Sequence, residues 1–260
     1  MLKGLYTAYT GMVNEQHRMD TLTNNLANSA TIGYKKEGAT SQSFHDVFAY
    51  KIKDVTEAHN VAKRLGAMSM GVKVGENYTD YRDGPMTVTN NPYDMAITGP
   101  GFFNIEFTNK AGVTSTKYTR DGNFTLTEEG YLVTKDGDFV LDNRGRRIEL
   151  DPLLTSEIKE DGRIIQNGNT VATIAVTDFE DYNYLEHYGE NLFQPVEGIQ
   201  EKDAEGRIIS GYLERSNVQV VKEMVEMINV SRAYETNQKI VQTYDSSLDI
   251  AVNQLGRLNG

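Results

Sequence analysis

The stretch SNVQVVKEMVEMINVSRAYETNQKIVQTYDSSLDIAVNQL, Ser216–Leu255, decides the fold because its pattern predicts one long helix near the end of the chain. No proline or glycine interrupts it, and at 1.5 Å per residue such a helix would be about 58 Å long. One stripe of residues recurs in alternating steps of four and three, the spacing by which one helix packs along another. We therefore expect a partner helix for Val220, Met224, Met227, Ser231, Tyr234, Gln238, Val241, Asp245, Leu248, Val252 and Leu255.

Both ends of this helix carry boundary signals. Ser216 with Gln219 three residues later fits a capping box, in which each side chain satisfies a backbone donor of the first turn. Gly256 is a natural stop because glycine readily takes the conformation that ends a helix. The predicted helix therefore runs from Ser216 to Leu255.

The start of the chain repeats the same spacing and predicts a second helix of the same kind. Two interpretations stay open: the terminal helices form an antiparallel stalk that closes a monomer, or they join neighbouring molecules in a polymer. The residues at this spacing are Leu2, Leu5, Tyr9, Met12, Gln16, Met19, Thr23 and Leu26.

Composition limits the possible functions. The 260 residues are 38% hydrophobic, which is enough for a sizeable core. A net charge of -11 and a pI near 4.9 argue against nucleic acid or an anionic membrane surface as the main partner. There is no cysteine, so a disulfide scaffold or a thiolate metal site is not possible. The sequence also lacks an apolar run that would span a membrane or serve as a cleaved secretory signal.

Between the predicted helices the hydrophobic period changes. Residues 36–80 predict an irregular connecting segment with one short helix through Phe44, Val47, Phe48 and Ile52. Residues 81–210 predict half-buried strands, because apolar residues alternate with polar ones, as in Phe103, Ile105 and Phe107, Phe124 and Leu126, Tyr131 and Val133, Phe139 and Leu141, and Ile174 and Val176.

Turn signals separate these predicted strands at the short intervals that antiparallel hairpins need. The fold class is therefore α+β, with long, coiled-coil-like terminal helices flanking a mainly antiparallel β domain. The signals are Asp83-Gly84, Gly99-Pro100-Gly101, Asp121-Gly122, Glu129-Gly130, Asp136-Gly137, Arg144-Gly145, Asp161-Gly162 and Asn167-Gly168.

No residue pattern predicts catalysis, a metal site or a cofactor. The histidines are scattered and lack the spacing that puts two imidazoles on one metal. A pair among Asp178, Glu180 and Asp181 would suit a glycosidase, but a solvated acidic face explains them as well. The four histidines are His17, His45, His59 and His187.

Three separated strings resemble one family, the axial proteins of the bacterial flagellar rod and hook. NNLANSATIGYKK, Asn24–Lys36, is similar to the N-terminal signature of that family, although Ile32 stands where proline is frequent. DMAITGPGFF, Asp94–Phe103, and YTRDGNFTLTEEGYLVTKDG, Tyr118–Gly137, resemble its central β segment. GYLERSNVQVVKEMVEMINVSRAYETNQKIV, Gly211–Val241, resembles its C-terminal signature. Within the family the likeness is to the distal rod component and its close proximal paralogue, and both stay open.

The resemblance implies a structural subunit without enzymatic activity or a cofactor, which polymerises through its terminal helices into a hollow shaft that transmits torque to the hook. It implies as partners further copies of the chain, other rod and hook axial proteins and the flagellar type III export apparatus, with neither nucleic acid binding nor membrane insertion. The location would be the flagellar basal body, reached without a cleaved signal peptide. The hydrophobic pattern divides the chain into an assembly helix with its exit loop at 1–35, a connecting segment at 36–80, a β domain at 81–210 and a second assembly helix at 211–260.

The same resemblance assigns roles to two sets of residues. Turn geometry and inter-subunit hydrogen bonds are expected of Asn25, Asn28, Gly33, Arg232 and Asn237, and Gly33 is expected to take a positive φ at the exit of the first helix. The seam that would carry the assembly contacts comprises Leu5, Met12, Met19, Leu26, Met224, Met227, Tyr234, Val241 and Leu248.

Two alternatives come from other functional classes. A monomeric β-domain binding module with a helical stalk would use the same elements without polymerising. An exported enzyme acting on the cell wall would need a carboxylate pair or a metal in the β domain. Neither alternative explains why both ends of the chain carry family motifs.

Overall fold

The chain divides into two compact units. The computed structural model describes residues 2–44, 47–51, 63–69, 71–110, 112–189, 191–196 and 198–255. The helical unit takes its described residues from 1–26, 37–78 and 220–260, and the β unit takes them from 27–36 and 79–219. The chain therefore passes from one unit to the other four times.

Two helices from opposite ends of the chain dominate the helical unit. Helix α1 spans Leu2–Ala27 and is followed by a 3₁₀ turn at Asn28–Ala30. Helix α2 spans Val220–Ile250 and continues as a π-helical turn at Ala251–Leu255. The predicted first helix is confirmed, and Gly256, the predicted stop of the second, lies outside the described residues.

Helix α2 begins four residues later than the sequence predicts, and the predicted capping box is wrong. Ser216 is buried, and its Oγ accepts a hydrogen bond of 3.3 Å from the backbone N of Val218, not from Gln219. The Asn217 amide meanwhile donates to the backbone O of Asp80 at 2.7 Å. These bonds hold the segment in a non-helical conformation until Val220.

The connecting segment forms strands over its described residues: β1 Glu37–Ser43, β2 Val47–Lys51, β3 Lys63–Met68 and β4 Val72–Thr79. The predicted short helix is wrong at Val47 and Phe48, because their backbone pairs with Met68 and Ala67 in an antiparallel β2–β3 ladder. Ile52, its last predicted residue, lies outside the described part. Strand β1 pairs with β4.

The β unit holds sixteen strands in its described residues, and the pairs that these strands form are antiparallel, as predicted. They are β5 Met86–Val88, β6 Met95–Thr98, β7 Phe102–Thr108, β8 Thr114–Thr119, β9 Phe124–Leu126, β10 Leu132–Thr134, β11 Phe139–Val140, β12 Ser156–Ile158, β13 Arg163–Gln166, β14 Asn169–Thr173, β15 Val176–Phe179, β16 Leu185–Tyr188, β17 Leu192–Pro195, β18 Glu201–Asp203, β19 Arg207–Ser210 and β20 Tyr212–Glu214.

Nine of these strands form one sheet, with the path β16-β17-β8-β7-β11-β10-β9 and with β15 joining β18 to β7. A second sheet has the order β12-β13-β14, and β19 pairs with β6 and β20 with β5. The Asn167-Gly168 turn between β13 and β14 has positive φ at both residues, 52° and 81°. This geometry matches the twist of a two-residue hairpin and explains the asparagine-glycine pair.

Strand β7 supplies side chains to two cores because it is buried on both faces at its start. Phe103 packs edge-to-face on Phe124, with 5.2 Å between ring centroids, in a core that includes Met95, Ile97, Leu132, Val140, Ile148, Leu150, Ile164, Ile174 and Ile208. Phe102 lies in a second core with Tyr118, Phe179, Leu185 and Phe193. The sequence alternation identified Phe103 and Ile105, but not Phe102.

Two tyrosines make this unit sensitive to alkaline pH: Tyr118 in the second core and Tyr182, which packs against that core. Burial raises the pKa of Tyr118, and a hydrogen bond of 2.6 Å to Glu201 raises it further. Burial and a bond of 2.6 Å to Asp178 do the same to the pKa of Tyr182. Above the ordinary tyrosine pKa near 10 the folded state therefore binds more protons than the unfolded state, and stability falls as the pH rises.

We predict that the double variant Tyr118→Phe/Tyr182→Phe loses stability less steeply than the parent chain between about pH 10 and 11.5. Urea unfolding at a series of pH values measures the slope. Absorbance at 295 nm should show two of the fifteen tyrosines un-ionised at pH 11 in the folded parent, and all ionised in urea. Equal slopes in parent and variant would contradict the account.

Candidate functional site

Helices α1 and α2 lie side by side and antiparallel within the helical unit. Gly4 lies against Tyr244 so closely that a Cβ at Gly4 would be 2.2 Å from the tyrosine Oη. Gly11 lies against Asn237, where a Cβ would be 2.9 Å from Nδ2. Seven residues separate the two glycines and seven separate their partners. The absence of two side chains on α1 thus makes room for two large ones on α2.

Polar contacts continue this alignment toward the end of α1. Arg18 donates to Glu226 at 2.6 Å. One helical turn further along α2 towards its start, the carboxylate of Glu223 accepts a bond of 3.4 Å from Nδ2 of Asn25. Glu223 and Asn25 are both almost fully buried. Partner positions fall along α2 as they rise along α1, which gives the antiparallel orientation.

The buried and half-buried positions of α2 follow the alternating spacing, with a shift that the sequence did not predict. Four predicted seam residues, Met227, Tyr234, Val241 and Leu248, are half-buried, whereas Met224 is 47% exposed. Most of the second positions lie one residue earlier than predicted, although Ser231 of the predicted stripe is also half-buried. The covered residues at this spacing are Glu223, Met227, Val230, Tyr234, Asn237, Val241, Tyr244 and Leu248, and Glu226, Ser231, Ala233 and Ala251 are half-buried beside them.

The predicted seam of α1 is half-buried at all four of its positions, Leu5, Met12, Met19 and Leu26. The most deeply covered residues of α1 are others, several of them polar. Asn14, for example, accepts a hydrogen bond of 3.0 Å from Ser41 of β1. Asn14 therefore contacts a neighbouring strand, a contact that helix periodicity alone does not reveal.

The Asn25 side chain makes a pair of hydrogen bonds to the backbone of Glu37, one accepted and one donated, as a neighbouring strand would. Its Oδ1 accepts from the Glu37 N at 2.9 Å, and its Nδ2 donates to the Glu37 O at 2.7 Å. These bonds tie the end of α1 to the start of β1 within one chain. An inter-subunit bond at Asn25 remains a prediction.

The exit of α1 has a local side-chain bond at Asn28 and the positive φ that the sequence predicts for Gly33. Asn28 accepts through Oδ1 from the Thr31 hydroxyl at 3.2 Å, as expected of a local bond at a helix end. Gly33 has a positive φ of 69°, and a Cβ there would lie 2.4 Å from the backbone N of Asp121. Both conformation and space therefore require glycine at this position. Of the remaining predicted residues, Asn237 is half-buried and Arg232 is exposed.

A buried charge cluster lies in the β unit. The Lys35 ammonium lies 2.7 Å from Oε1 of Glu214, and both side chains are 1% exposed. Arg120, 3% exposed, lies 3.5 Å from the other Glu214 oxygen and 3.3 Å from Asp83. Three charges in a nearly water-free site need complementary partners, because a single unpaired charge there would be costly.

Backbone groups complete the cluster. Lys35 donates to the Arg82 O at 2.9 Å, Arg120 donates to the Gly99 O at 2.8 Å, and the Gly84 N donates to Glu214 at 2.8 Å. Asp83-Gly84 is thus a binding loop for a carboxylate, not the hairpin turn that the sequence predicted. Loss of water lowers the pKa of Lys35, Glu214 opposes this shift, and the Arg120 charge lowers the pKa further.

Asn217 links the same three chain segments through backbone bonds. Its Oδ1 accepts from the Lys36 N at 2.8 Å, and its Nδ2 donates to the backbone O of Asp80 and of Arg82 at 2.7 and 3.1 Å. The charge cluster and Asn217 therefore join residues 33–36, 80–85 and 214–217. Three of the four points at which the chain crosses between the two units adjoin these segments.

The family-like strings contain Lys35, Arg120 and Glu214 but predict no cluster of these residues. Glu214 ends strand β20 and lies outside α2. Each of the three motif strings contains more than one charged residue, so charge alone does not single out these three. Linear spacing does not show that residues so far apart in the chain meet.

The β unit also contains an acidic cleft of about 790 Å³. Asp142, on its wall, is engaged by the backbone N of Arg144 and Arg146 and by the Arg146 side chain. Among the described residues no group of three or more His, Cys, Asp or Glu is placed to hold a metal ion, and His45 and His59 lie outside them. No helix in the described part of the chain is long and apolar enough to cross a membrane.

Three regions of the chain match known protein families. Residues 5–35 match the family described as flagella basal body rod protein. Residues 96–166 match the D1 domain of the flagellar hook proteins FlgE, FlgF and FlgG, and residues 209–255 match the C-terminal region of the flagellar basal body rod proteins FlgE, FlgF and FlgG.

Curated relatives match over nearly the whole chain. The flagellar basal-body rod protein FlgF of Caulobacter vibrioides is 32% identical, with both chains covered completely. The rod protein FlgG of Borreliella burgdorferi is 33% identical, over 97% of this chain and 98% of that protein. The flagellar hook-basal body complex protein FlhO of Bacillus subtilis is 30% identical, over 99% and 100%.

The chain belongs to the flagellar basal-body rod protein family. It is a structural subunit of the basal-body rod, as the three sequence motifs predicted. Relatives named FlgF and FlgG match at similar identity. The charge cluster joins residues from all three resembling strings of this rod protein, since Lys35, Arg120 and Glu214 come from one string each.

We predict that Lys35→Met lowers the free energy of unfolding by about 3 kcal/mol, because it removes the closest partner of a buried carboxylate. Lys159→Met is the matched control: Lys159 pairs with Glu157 on the surface, where both side chains are about half exposed or more, and it should cost at most about 1 kcal/mol. Urea unfolding followed by circular dichroism measures both. Equal losses in the two variants would mean that the cluster is no special source of stability.

Proposed function

We propose that this rod subunit polymerises through α1 and α2. The supporting observation is the exposed apolar surface of both helices in a single chain. On α2 it includes Val221, 76% exposed, and Val225, 54% exposed, and on α1 it includes Tyr9, 58% exposed. Large apolar side chains grouped on a surface mark a contact site with another protein.

The predicted seam fits the same proposal. Met224 is largely exposed, and Leu5, Met12, Met19, Leu26, Met227, Tyr234, Val241 and Leu248 are half-buried. Each keeps apolar surface to lose when a neighbour docks, and full burial of such a side chain contributes roughly 1.5 to 3 kcal/mol. We propose that these residues form coiled-coil-like contacts in the shaft, with Arg232 and Asn237 supplying inter-subunit hydrogen bonds that fix register.

Torque transmission is the second part of the proposal. Force that enters through the helices reaches the β unit through the four points at which the chain crosses between the units. Three of these crossing points adjoin the segments that the charge cluster and Asn217 join. Charge-assisted hydrogen bonds fix direction as well as distance. We propose that the cluster keeps these crossing points in a fixed arrangement while the shaft rotates.

The proposed partners follow from this role and from the resemblance to the rod and hook axial family. They are further copies of the chain, other rod and hook axial proteins, and the type III export apparatus that would deliver the subunit without a cleaved signal peptide. We propose no catalytic activity and no cofactor. The alternatives, a monomeric binding module with a helical stalk and a cell-wall enzyme, differ in outcome: the first stays monomeric and the second clears peptidoglycan in a zymogram.

We predict that Met224→Asp and Met227→Asp each abolish rod assembly and swimming, because a charge at a contact that becomes buried must lose its water. Asn229→Asp, an exposed site on the same helix, is the control and should swim. Motility plates and electron microscopy of isolated basal bodies provide the measurement. Circular dichroism of the purified chain shows that the β unit stays folded. Normal swimming of both methionine variants would refute assembly through α2.

A further inference from the structure

The outward faces of the two helices carry matching apolar patches. On α1 the patch is Tyr6, Tyr9 and Val13, which are 44%, 58% and 42% exposed. At 100° per residue these three lie about half a turn from Gly4 and Gly11, and therefore on the side of α1 away from α2. The ring of Tyr6 also lies 6.4 Å from that of Phe44, so Tyr9 and Val13 are the freer pair.

On α2 the corresponding patch is Val221, Val225 and Ile228, which are 76%, 54% and 52% exposed. They lie about half a turn from Val230 and Asn237, on the side of α2 away from α1. The helical pair thus presents one apolar patch on each of its two opposite faces. Such a pair of different surfaces favours a heterologous, head-to-tail contact between copies.

The spacing of the two patches is complementary. Along α1 the steps are three and then four residues, and along α2 they are four and then three. When two helices pack antiparallel, the order of the spacings along one helix is reversed along the other. Tyr6 then meets Ile228, Tyr9 meets Val225 and Val13 meets Val221, all at one alignment.

This alignment differs from the one inside the chain by two heptads. Because Gly4 lies opposite Tyr244 and Gly11 opposite Asn237, Tyr9 is level with Lys239 of its own α2. Val225 lies fourteen residues nearer the start of that helix. At 1.5 Å per residue the displacement is about 21 Å along the helix axis.

We propose that neighbouring rod subunits dock the α1 patch of one copy onto the α2 patch of the next, displaced by about 21 Å along the helices. This inference rests on the proposed function and adds the geometry of one contact. A displacement along the axis at each step produces an open screw instead of a flat ring. The contact continues the layering of α1 on α2 that exists within each chain.

The size of the patches agrees with a polymer subunit that does not dimerise stably. If each tyrosine side chain offers roughly 150 to 250 Å² and each aliphatic one less, the exposed parts of the six residues amount to at most roughly 600 Å² per contact. A stable pair needs at least about 1,000 Å². Each subunit in a shaft makes the contact twice, once through each helix, so that the polymer buries what an isolated pair does not.

Cysteine cross-linking tests the alignment cleanly because the chain has no cysteine of its own. The test pairs are Tyr9→Cys/Val225→Cys and Val13→Cys/Val221→Cys. Within one chain the members of each pair are on opposite faces and about 21 Å apart along the axis, whereas a disulfide needs Cα atoms within about 7 Å. Any disulfide must therefore join two chains. Tyr9→Cys/Lys239→Cys is the matched control for neighbours in register.

Each variant is produced together with the unchanged chain, so that mixed rods form, and isolated basal bodies are oxidised and run on non-reducing gels. We expect cross-linked dimers and higher species from both test pairs, and only monomers from the control and from the single variants. Variant chains that are present in basal bodies but stay monomeric for both test pairs would overturn the proposed contact. Cross-links from the control alone would replace it with an in-register contact. Neither result contradicts assembly through the helices, because the aspartate variants test that proposal separately.

Discussion

The antiparallel pairing of α1 with α2 is the constraint on which the rest of the structure depends. The two helices come from opposite ends of the chain, so the whole β unit is an insertion whose ends must return to one place. Gly4 and Gly11 let Tyr244 and Asn237 approach closely, and the contact between Asn25 and Glu223 fixes the other end of the alignment. A pairing defined at both ends leaves little freedom to slide by a heptad.

Within the β unit, the charge cluster fixes the positions at which the chain leaves that unit. The chain must leave that unit near residues 36, 79 and 219, and hydrophobic packing alone fixes such positions loosely. The cluster instead supplies directional bonds between Lys35, Arg120 and Glu214. Its formation costs free energy because three charges lose their water. An apolar cluster of the same volume could match its stability but would not define direction as sharply.

The sequence predicted the elements well and their contacts less well. The period of the apolar residues identified α1, most of α2 and the β region, because burial of a face imposes a period on the chain. It placed the start of α2 at Ser216 because a capping signal is local, whereas the bonds from Asn217 to Lys36, Asp80 and Arg82 are not. The helix predicted through Val47 and Phe48 failed for the same reason, since a strand partner at Ala67 and Met68 is invisible to local periodicity.

Part of the candidate site was predictable and part was not. Gly33 followed from its position after a helix, and Met227, Tyr234, Val241 and Leu248 followed from spacing. At the start of α2 the sequence predicted Met224 in the seam, whereas the buried residue is the charged Glu223, which binds Asn25. The charge cluster was not predicted because its residues are far apart in sequence and ionic residues are usually exposed.

The central claim is that copies of this chain contact one another through their terminal helices in the rod. Electron cryo-microscopy of basal bodies from cells that carry this chain, at a resolution that shows side chains, tests it most directly. The account predicts a shaft in which α1 and α2 of each copy touch the helices of neighbouring copies. A shaft in which copies of this chain touch only through their β units would contradict it.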